Sequence, residues 1–218
     1  MRSVAKALVL DFDGVLVVSE EIKTEAFRKL YSQYPDHVEP MMAHHRSHPS
    51  LSRVEKFRYF IRYRLHRGDD PRLLDSLLKT FSEEVRGRVA ECPATPGSVE
   101  FLKEFYAHLP LYVASVTPVE DLEWVLEKRS LRQYFKGVYG DPPVSKRDAL
   151  LKIAEKEACR PGELILIGDS EGDFIAARDA GTKFVGYESG MRLPAEAVKF
   201  ASWRELAEYL RGVVQLVA

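Results

Sequence analysis

The stretch Ala7-Leu-Val-Leu-Asp-Phe-Asp-Gly14 constrains this chain more than any other. Four apolar residues run straight into Asp11, the pattern of a strand buried on both faces that delivers a carboxylate to the end of a sheet. Period two places Asp11 and Asp13 on one side and turns Phe12 toward the interior, while Gly14 lets the chain bend away. Two carboxylates this close repel each other, so near neutral pH they need a cation, a shared proton or strong hydrogen bonds. Strands ending in two spaced aspartates also occur as ordinary turn starts, and on this stretch alone both readings stand.

The residues that follow change rhythm twice. Ser19 with Glu20 and Glu21 reads as a helix start, and Ile22, Ala26, Phe27 and Leu30 share a face until Pro35 ends the segment. Residues 35–50 show no clear period and read as a loop or short helical pieces. Ser52-Arg-Val-Glu55 is a capping box that opens an amphipathic helix through Val54, Phe57, Ile61 and Leu65, closed by Gly68. Asp70-Pro71 opens a longer helix striped by Leu73, Leu74, Leu77, Leu78, Phe81 and Val85. Two prolines and a glycine in Cys92-Pro-Ala-Thr-Pro-Gly97 then break the helical run. Beyond it strand-like and helix-like segments alternate, the signature of a parallel sheet with crossover helices, and Thr117-Pro-Val-Glu120 reads as the cap of one of them. The expected fold class is α/β: a Rossmann-like parallel-sheet core of residues 1–16 and 91–218, interrupted after its first strand by an α-helical cap over residues 17–90.

Composition narrows the partners. With 218 residues, 45% hydrophobic and 30% charged, the chain has material for a substantial core and a solvated surface. Its 32 basic and 33 acidic residues nearly cancel, so net charge offers no case for a nucleic-acid or membrane partner. Cys92 and Cys159 form no Cys-x-x-Cys pair, so neither a zinc site nor a redox motif is signalled, and reduced thiols in a cytoplasmic protein are expected. Arg2 and Lys6 ahead of an apolar run faintly imitate a secretory leader, but that run stops at Asp11 without a small-residue cleavage site. No apolar stretch is long enough to span a membrane, and a monomer or homodimer is expected.

Functional groups in a parallel sheet gather at the carboxyl ends of its strands. Those ends here carry Asp11 and Asp13, then Ser115, then Asp169 and Asp173 in Gly168-Asp-Ser-Glu-Gly-Asp173; with Lys146 they compose a carboxylate-rich site holding one hydroxyl and one ammonium. Oxygen donors suit Mg2+, a hard cation, and Asp11, Asp169 and the backbone carbonyl of Asp13 can supply them. Plainer uses stand beside these: Asp169 and Asp173 as acids at a helix N-terminus, Ser115 as a small residue at a strand end, Thr117 as a cap before Pro118. Lys146 falls in the first turn of its helix, where a cation is unfavourable, which separates it from an ordinary surface lysine. His44, His45, Arg46, His48 and Arg53 read equally as solvated surface and as substrate contacts, and no histidine has the spacing of a metal ligand.

In this order, D-x-D, Ser, Lys and G-D-S-x-x-D resemble the haloacid dehalogenase superfamily, in particular its phosphatases with a helical cap after the first strand. The resemblance spans nearly the whole chain and is carried by D-F-D-G-V-L and G-D-S-E-G-D-F-I-A-A-R-D-A-G. It implies an enzyme of the phosphoglycolate phosphatase or beta-phosphoglucomutase kind, hydrolysing a small phosphorylated metabolite with Mg2+. Asp11 is then the nucleophile and Asp13 the acid and later the base, with Ser115 and Lys146 on the phosphoryl oxygens. Asp11, Asp13, Asp169 and Asp173 become the metal set, Asp173 as ligand or support. An acid at Asp13 favours ester hydrolysis over dehalogenation or ATP-driven transport. Related caps place a basic residue at the start of their second helix, which points to Arg53 and then Arg46 as substrate-binding. The residue after Ser115, often asparagine in relatives, is Val116 here, so a backbone contact survives and a side-chain contact does not. Two rival readings are a phosphomutase and a fold retained for binding without turnover.

Overall fold

A computed structural model describes residues 5–49 and 51–214, so Arg2 and Ser50 lie outside the described residues. The chain forms two compact units, Met1–Val18 with Pro93–Ala218, and Ser19–Cys92.

The first unit is built on a six-stranded parallel sheet. Its strands are β1 (Ala7–Leu10), β2 (Leu111–Ser115), β3 (Gly137–Gly140), β4 (Leu164–Gly168), β5 (Lys183–Tyr187) and β6 (Lys199–Phe200), in the spatial order β3-β2-β1-β4-β5-β6. The near-continuous apolar runs of β1, β2 and β4 are explained by burial of every residue in them, as both faces of a parallel sheet are covered. Pairing of Leu10 with both Val113 and Ile167 brings the carboxyl ends of the three central strands level. The strand order reverses between β1 and β4, the crevice where open α/β sheets place their ligands.

One face of this sheet presents Ala7, Val9, Tyr112, Ala114, Leu164 and Leu166 to a cluster with Ala149, Leu150, Ile153, Ala177 and Ala180. The last five belong to the helices that begin at Lys146 and Glu171, whose alanines let backbone approach sheet closely. Trp203, fully buried, anchors a second cluster: its ring lies 4.6 Å from that of Phe101 and 5.4 Å from that of Tyr187. Its indole N–H donates to Thr95 Oγ1 at 2.9 Å, and the Thr95 hydroxyl donates to the carbonyl of Val15. This chain of bonds fixes the turn that follows Asp13. Beside it, the Val18 N–H donates to the Pro93 carbonyl at 2.9 Å, and Val17 bridges Ala94 in antiparallel fashion.

The second unit is helical: α1 (Glu20–Tyr31), α2 (Val38–Ser47), α3 (Arg53–Tyr59) and α4 (Pro71–Glu91). Of the two readings for residues 35–50, short helical pieces describe residues 35–47: a 3-10 turn at Pro35–His37 leads into the ten-residue α2. Its buried residues, Met41 and Met42, are adjacent and therefore produce no helical stripe to read. Ser52 and Glu55 form the expected capping box, but α3 widens into a π turn at Phe60–Arg64 rather than continuing to Leu65. Phe27, Phe57 and Phe81 form the centre of this unit, with ring centroids 4.5 Å apart for Phe27 and Phe81 and 5.5 Å for Phe27 and Phe57. Burying such rings contributes roughly 1.5–3 kcal/mol each. Among the described residues no helix is long and apolar enough to cross a membrane.

Candidate active site

Every group of the site described next belongs to the sheet unit. One residue past β1, the Asp11 N–H still donates to the Ile167 carbonyl at 2.9 Å, so sheet pairing sets the position of this carboxylate. Asp11 Oδ1 accepts the Phe12 N–H at 2.7 Å and lies 3.1 Å from Lys146 Nζ, while Oδ2 has no hydrogen-bond partner among the described residues. Burial raises the Asp11 carboxyl to about 7; Lys146 pulls it back down, and Asp173 and Asp13 push it up again.

Gly14, at φ 73°, turns the chain so that the N–H groups of Leu16 and Val17 both reach the Phe12 carbonyl, at 2.8 and 3.2 Å. Asp13 projects from this turn, and its Oδ2 accepts the Thr117 hydroxyl at 2.8 Å. The helix after β2 has its N-cap position one residue beyond Thr117. That helix, α6 (Val119–Lys128) after α5 (Ser98–Phe105), has Pro118 in this place, and the threonine hydroxyl donates to the acid. The Thr117 N–H donates to Ser115 Oγ at 3.1 Å, which leaves the serine its own proton to donate.

Lys146 is the first residue of α7 (Lys146–Lys156), where Ser145 caps the helix by accepting the Asp148 N–H. It is buried and ion-paired to both Asp11 and Asp173. Burial would depress the ammonium, but the two carboxylates outweigh it and the pKa rises above the ordinary lysine value.

Asp173 lies in the first turn of α8 (Glu171–Ala180) and is satisfied from several sides. Its Oδ2 accepts the N–H groups of Asp169 and Ser170, both at 3.1 Å, and the Ser170 hydroxyl at 2.8 Å, while Oδ1 meets Lys146. The same carboxylate thus serves the helix terminus and pairs with Lys146. Gly168 makes it possible: a Cβ there would stand 2.4 Å from Asp173 Cβ. Asp169 Oδ2 accepts the Ser189 hydroxyl at 2.7 Å, from just beyond β5.

Carboxylate oxygens of Asp11, Asp169 and Asp173 all lie within 4.8 Å of one another, and all three residues are buried. Three carboxylates face one ammonium, so a cation fits the charge balance, and an all-oxygen donor set fits a hard ion such as Mg2+. Because both oxygens of Asp173 are already engaged, Asp11 and Asp169 are the first candidates to hold it, with Asp173 as their brace.

Of the sequence-derived residues, Asp11, Lys146, Asp173 and Asp169 are joined by ion pairs and hydrogen bonds, Thr117 ties Asp13 to Ser115, and the charge of Asp13 acts on the Asp11 carboxyl. Val116 sits half-buried beside Ser115. Arg53 and Arg46 belong to the helical unit: Arg53 is buried over the Phe81 ring at 4.9 Å and donates to Ser82 Oγ at 2.8 Å, and Arg46 is exposed. Sequence reasoning passed over Ser189 and gave Thr117 another role, although both stand at the carboxyl ends of strands, where the same rule that selected Ser115 applies.

Residues 8–187 match the family described as haloacid dehalogenase-like hydrolase. A phosphoglycolate phosphatase of Photobacterium profundum is 32% identical over 99 residues, 43% of this chain and 43% of that protein, so the match covers less than half the relative's length. A mutant of CbbY from Rhodobacter sphaeroides, solved in complex with xylulose-(1,5)bisphosphate, aligns with a TM-score of 0.74 at 18% identity, covering 93% of this chain and 96% of that one. YfnB from Bacillus subtilis, bound to magnesium, aligns at 0.67 and 14% identity over 94% of this chain and 98% of that one. At these identities the two solved structures share the fold.

Proposed function

This chain belongs to the haloacid dehalogenase-like hydrolases, and from that premise we propose that it is a Mg2+-dependent phosphatase acting on a small phosphate monoester through an aspartyl-phosphate. The observation that carries the reading is the division of labour in Asp11: Oδ1 is held by Phe12 and Lys146, and Oδ2 is left unpartnered beside Asp13. In the first half-reaction Asp11 Oδ2 attacks phosphorus, the bond to the leaving oxygen breaks, and Asp13 gives that oxygen its proton. In the second, Asp13 takes a proton from water, the water oxygen bonds to phosphorus, and the Asp11–phosphorus bond breaks to release phosphate and restore the carboxylate. Lys146 favours the ionised form of Asp11 and aligns it, Ser115 donates to a phosphoryl oxygen, and Thr117 holds Asp13, donating when that carboxyl is ionised and able to accept when it is protonated. Bound Mg2+, held by Asp11 and Asp169, supplies positive charge to the transferring phosphoryl oxygens.

The phosphoglycolate phosphatase relative and the bisphosphate in the CbbY structure support a small phosphorylated metabolite as substrate. The magnesium in the YfnB structure supports the choice of ion. The helical unit would act as the cap that selects the substrate, with Arg46 and Arg53 as its basic candidates. A cytoplasmic setting accords with Cys92 and Cys159 carrying thiols.

Two aspartate variants test the mechanism. Asp11→Asn should abolish turnover on every substrate. Asp13→Asn should lose about 10²- to 10⁴-fold on an alkyl phosphate, whose alkoxide needs a proton. On an aryl phosphate it should give a rapid-quench burst of phenol with little inorganic phosphate. Near wild-type turnover of both esters by Asp13→Asn, or full wild-type activity in excess chelator, would overturn the corresponding part of the proposal.

A further inference from the structure

The helical unit buries a charge that has no ion pair among the described residues. Lys56, in α3, is only 3% exposed, with Nζ 3.1 Å from His45 Nδ1 and 5.4 Å from the centre of the Phe27 ring. Its chain neighbour Glu55 is turned elsewhere, accepting the Ser52 N–H and the Ser52 hydroxyl on one oxygen, both at 2.9 Å. No carboxylate among the described residues lies within ion-pair distance of Lys56. His45 Nε2 is in turn 3.1 Å from Thr24 Oγ1.

The direction of these bonds follows from what each group can do. An ammonium only donates, so Nδ1 of His45 accepts, and its ring proton sits on Nε2 and is given to Thr24. The imidazole is therefore neutral and takes up one of the three N–H donors of Lys56. Burial first, then Lys56 itself and Arg46, hold His45 down at about 4, and burial and Lys23 bring Lys56 down to about 8 against a smaller upward pull from Glu55. At neutral pH, then, Lys56 is a buried cation with two donors to spare and further positive charge beside it. A charge in that position is strongly unfavourable without an anionic partner.

We propose that Lys56 Nζ is the seat of a small-oxyanion site in the helical unit, taking a carboxylate or phosphate group of a metabolite on its two remaining N–H donors. The His45–Thr24 pair orients the ammonium and keeps the third donor occupied. The inference rests on the helical unit alone and does not depend on the reaction at Asp11.

The test uses the full chain in chelator, titrated with inorganic phosphate and, separately, malonate, each against sodium chloride of equal ionic strength. Nitrogen NMR of the His45 ring, assigned with His45→Gln, places any response at this site rather than at Ser115 and Lys146. A saturable shift with phosphate alone identifies a phosphate site, with malonate alone a carboxylate site, and with both a general oxyanion site. Lys56→Met should weaken that binding roughly 10- to 100-fold, the worth of a charge-assisted hydrogen bond, and Lys56→Arg should retain a saturable response. A response no larger than that to sodium chloride, or equal responses in wild type and Lys56→Met, overturns the proposal. If Lys56→Met does not fold, the wild-type titration decides by itself.

Discussion

Gly168→Ala probes the packing on which the candidate site rests. The added Cβ would stand 2.4 Å from Asp173 Cβ, 2.6 Å from Cγ and 2.7 Å from Oδ2, against 3.4 Å for ordinary contact. The interior is close-packed, so the start of α8 has to retreat by about 1 Å. That movement stretches the three hydrogen bonds to Asp173 Oδ2, now 3.1, 3.1 and 2.8 Å, and withdraws one of the two carboxylates that fix Lys146. Overpacking of this kind costs about 1–3 kcal/mol, and a weakened bond to a charged group adds about 1.5 kcal/mol, so a stability loss of about 2.5–4.5 kcal/mol is expected. Turnover should fall by about 10²-fold, the usual consequence of a 1 Å misplacement, if it is passed through Lys146 to Asp11 as the proposed nucleophile. Urea denaturation and kcat/KM on an aryl phosphate measure the two effects. Gly87→Ala, in exposed α4 with nothing within 4 Å of the new Cβ, is the control and should gain up to about 1 kcal/mol. Wild-type stability and kcat/KM in Gly168→Ala would refute both the packing argument and the bracing role of Asp173.

Two other outcomes are expected. Ser189→Ala removes the donor to Asp169 Oδ2, so Mg2+ titration should show roughly 10- to 100-fold weaker binding with kcat recovered at saturating ion; an unchanged affinity would remove Ser189 from the site. Stability should rise with pH between about 8, where folded Lys56 loses its proton, and its ordinary 10.5. The sign follows because in that window the unfolded chain binds more protons than the folded one, and the full effect is about 3 kcal/mol. The groups acting across Lys56 and its partner are Lys23 on α1, His44, His45 and Arg46 on α2, and Glu55 on α3. Lys56→Met should flatten this rise, and identical slopes in the two proteins would refute the assignment.

Much of the arrangement was legible because burial writes itself into composition. The runs before Asp11 and Asp169 are apolar at every position since β1 and β4 are covered on both faces, and the acids that follow mark the sheet edge. Lys146 stood out because a helix start is a poor place for a cation, and the two carboxylates that make it tolerable are remote in sequence. Thr117 and Ser189 carried weaker signals. A hydroxyl beside a proline has a local use as a cap, and only the folded chain reveals that Asp13 competes for it. Helix α2 hid for a different reason: its anchors Met41 and Met42 are neighbours, and the histidines around them have no period. Lys56 lay inside a legible amphipathic helix, but nothing in its spacing tells that Glu55 bonds Ser52 instead.

The junction at Val18 and Pro93, joined by one backbone hydrogen bond and steadied by the Val17–Ala94 bridge, has an evolutionary consequence. To the sheet, everything between those two residues is an excursion whose ends are already tied together. Lengthening such an excursion is cheap, about 0.6 kcal/mol of closure entropy for each doubling. Insertion, deletion or wholesale exchange of helices there leaves the strand register at Asp11 and Asp169 untouched. Lineages carrying this junction can therefore vary the helical unit while inheriting the sheet-borne carboxylates in place.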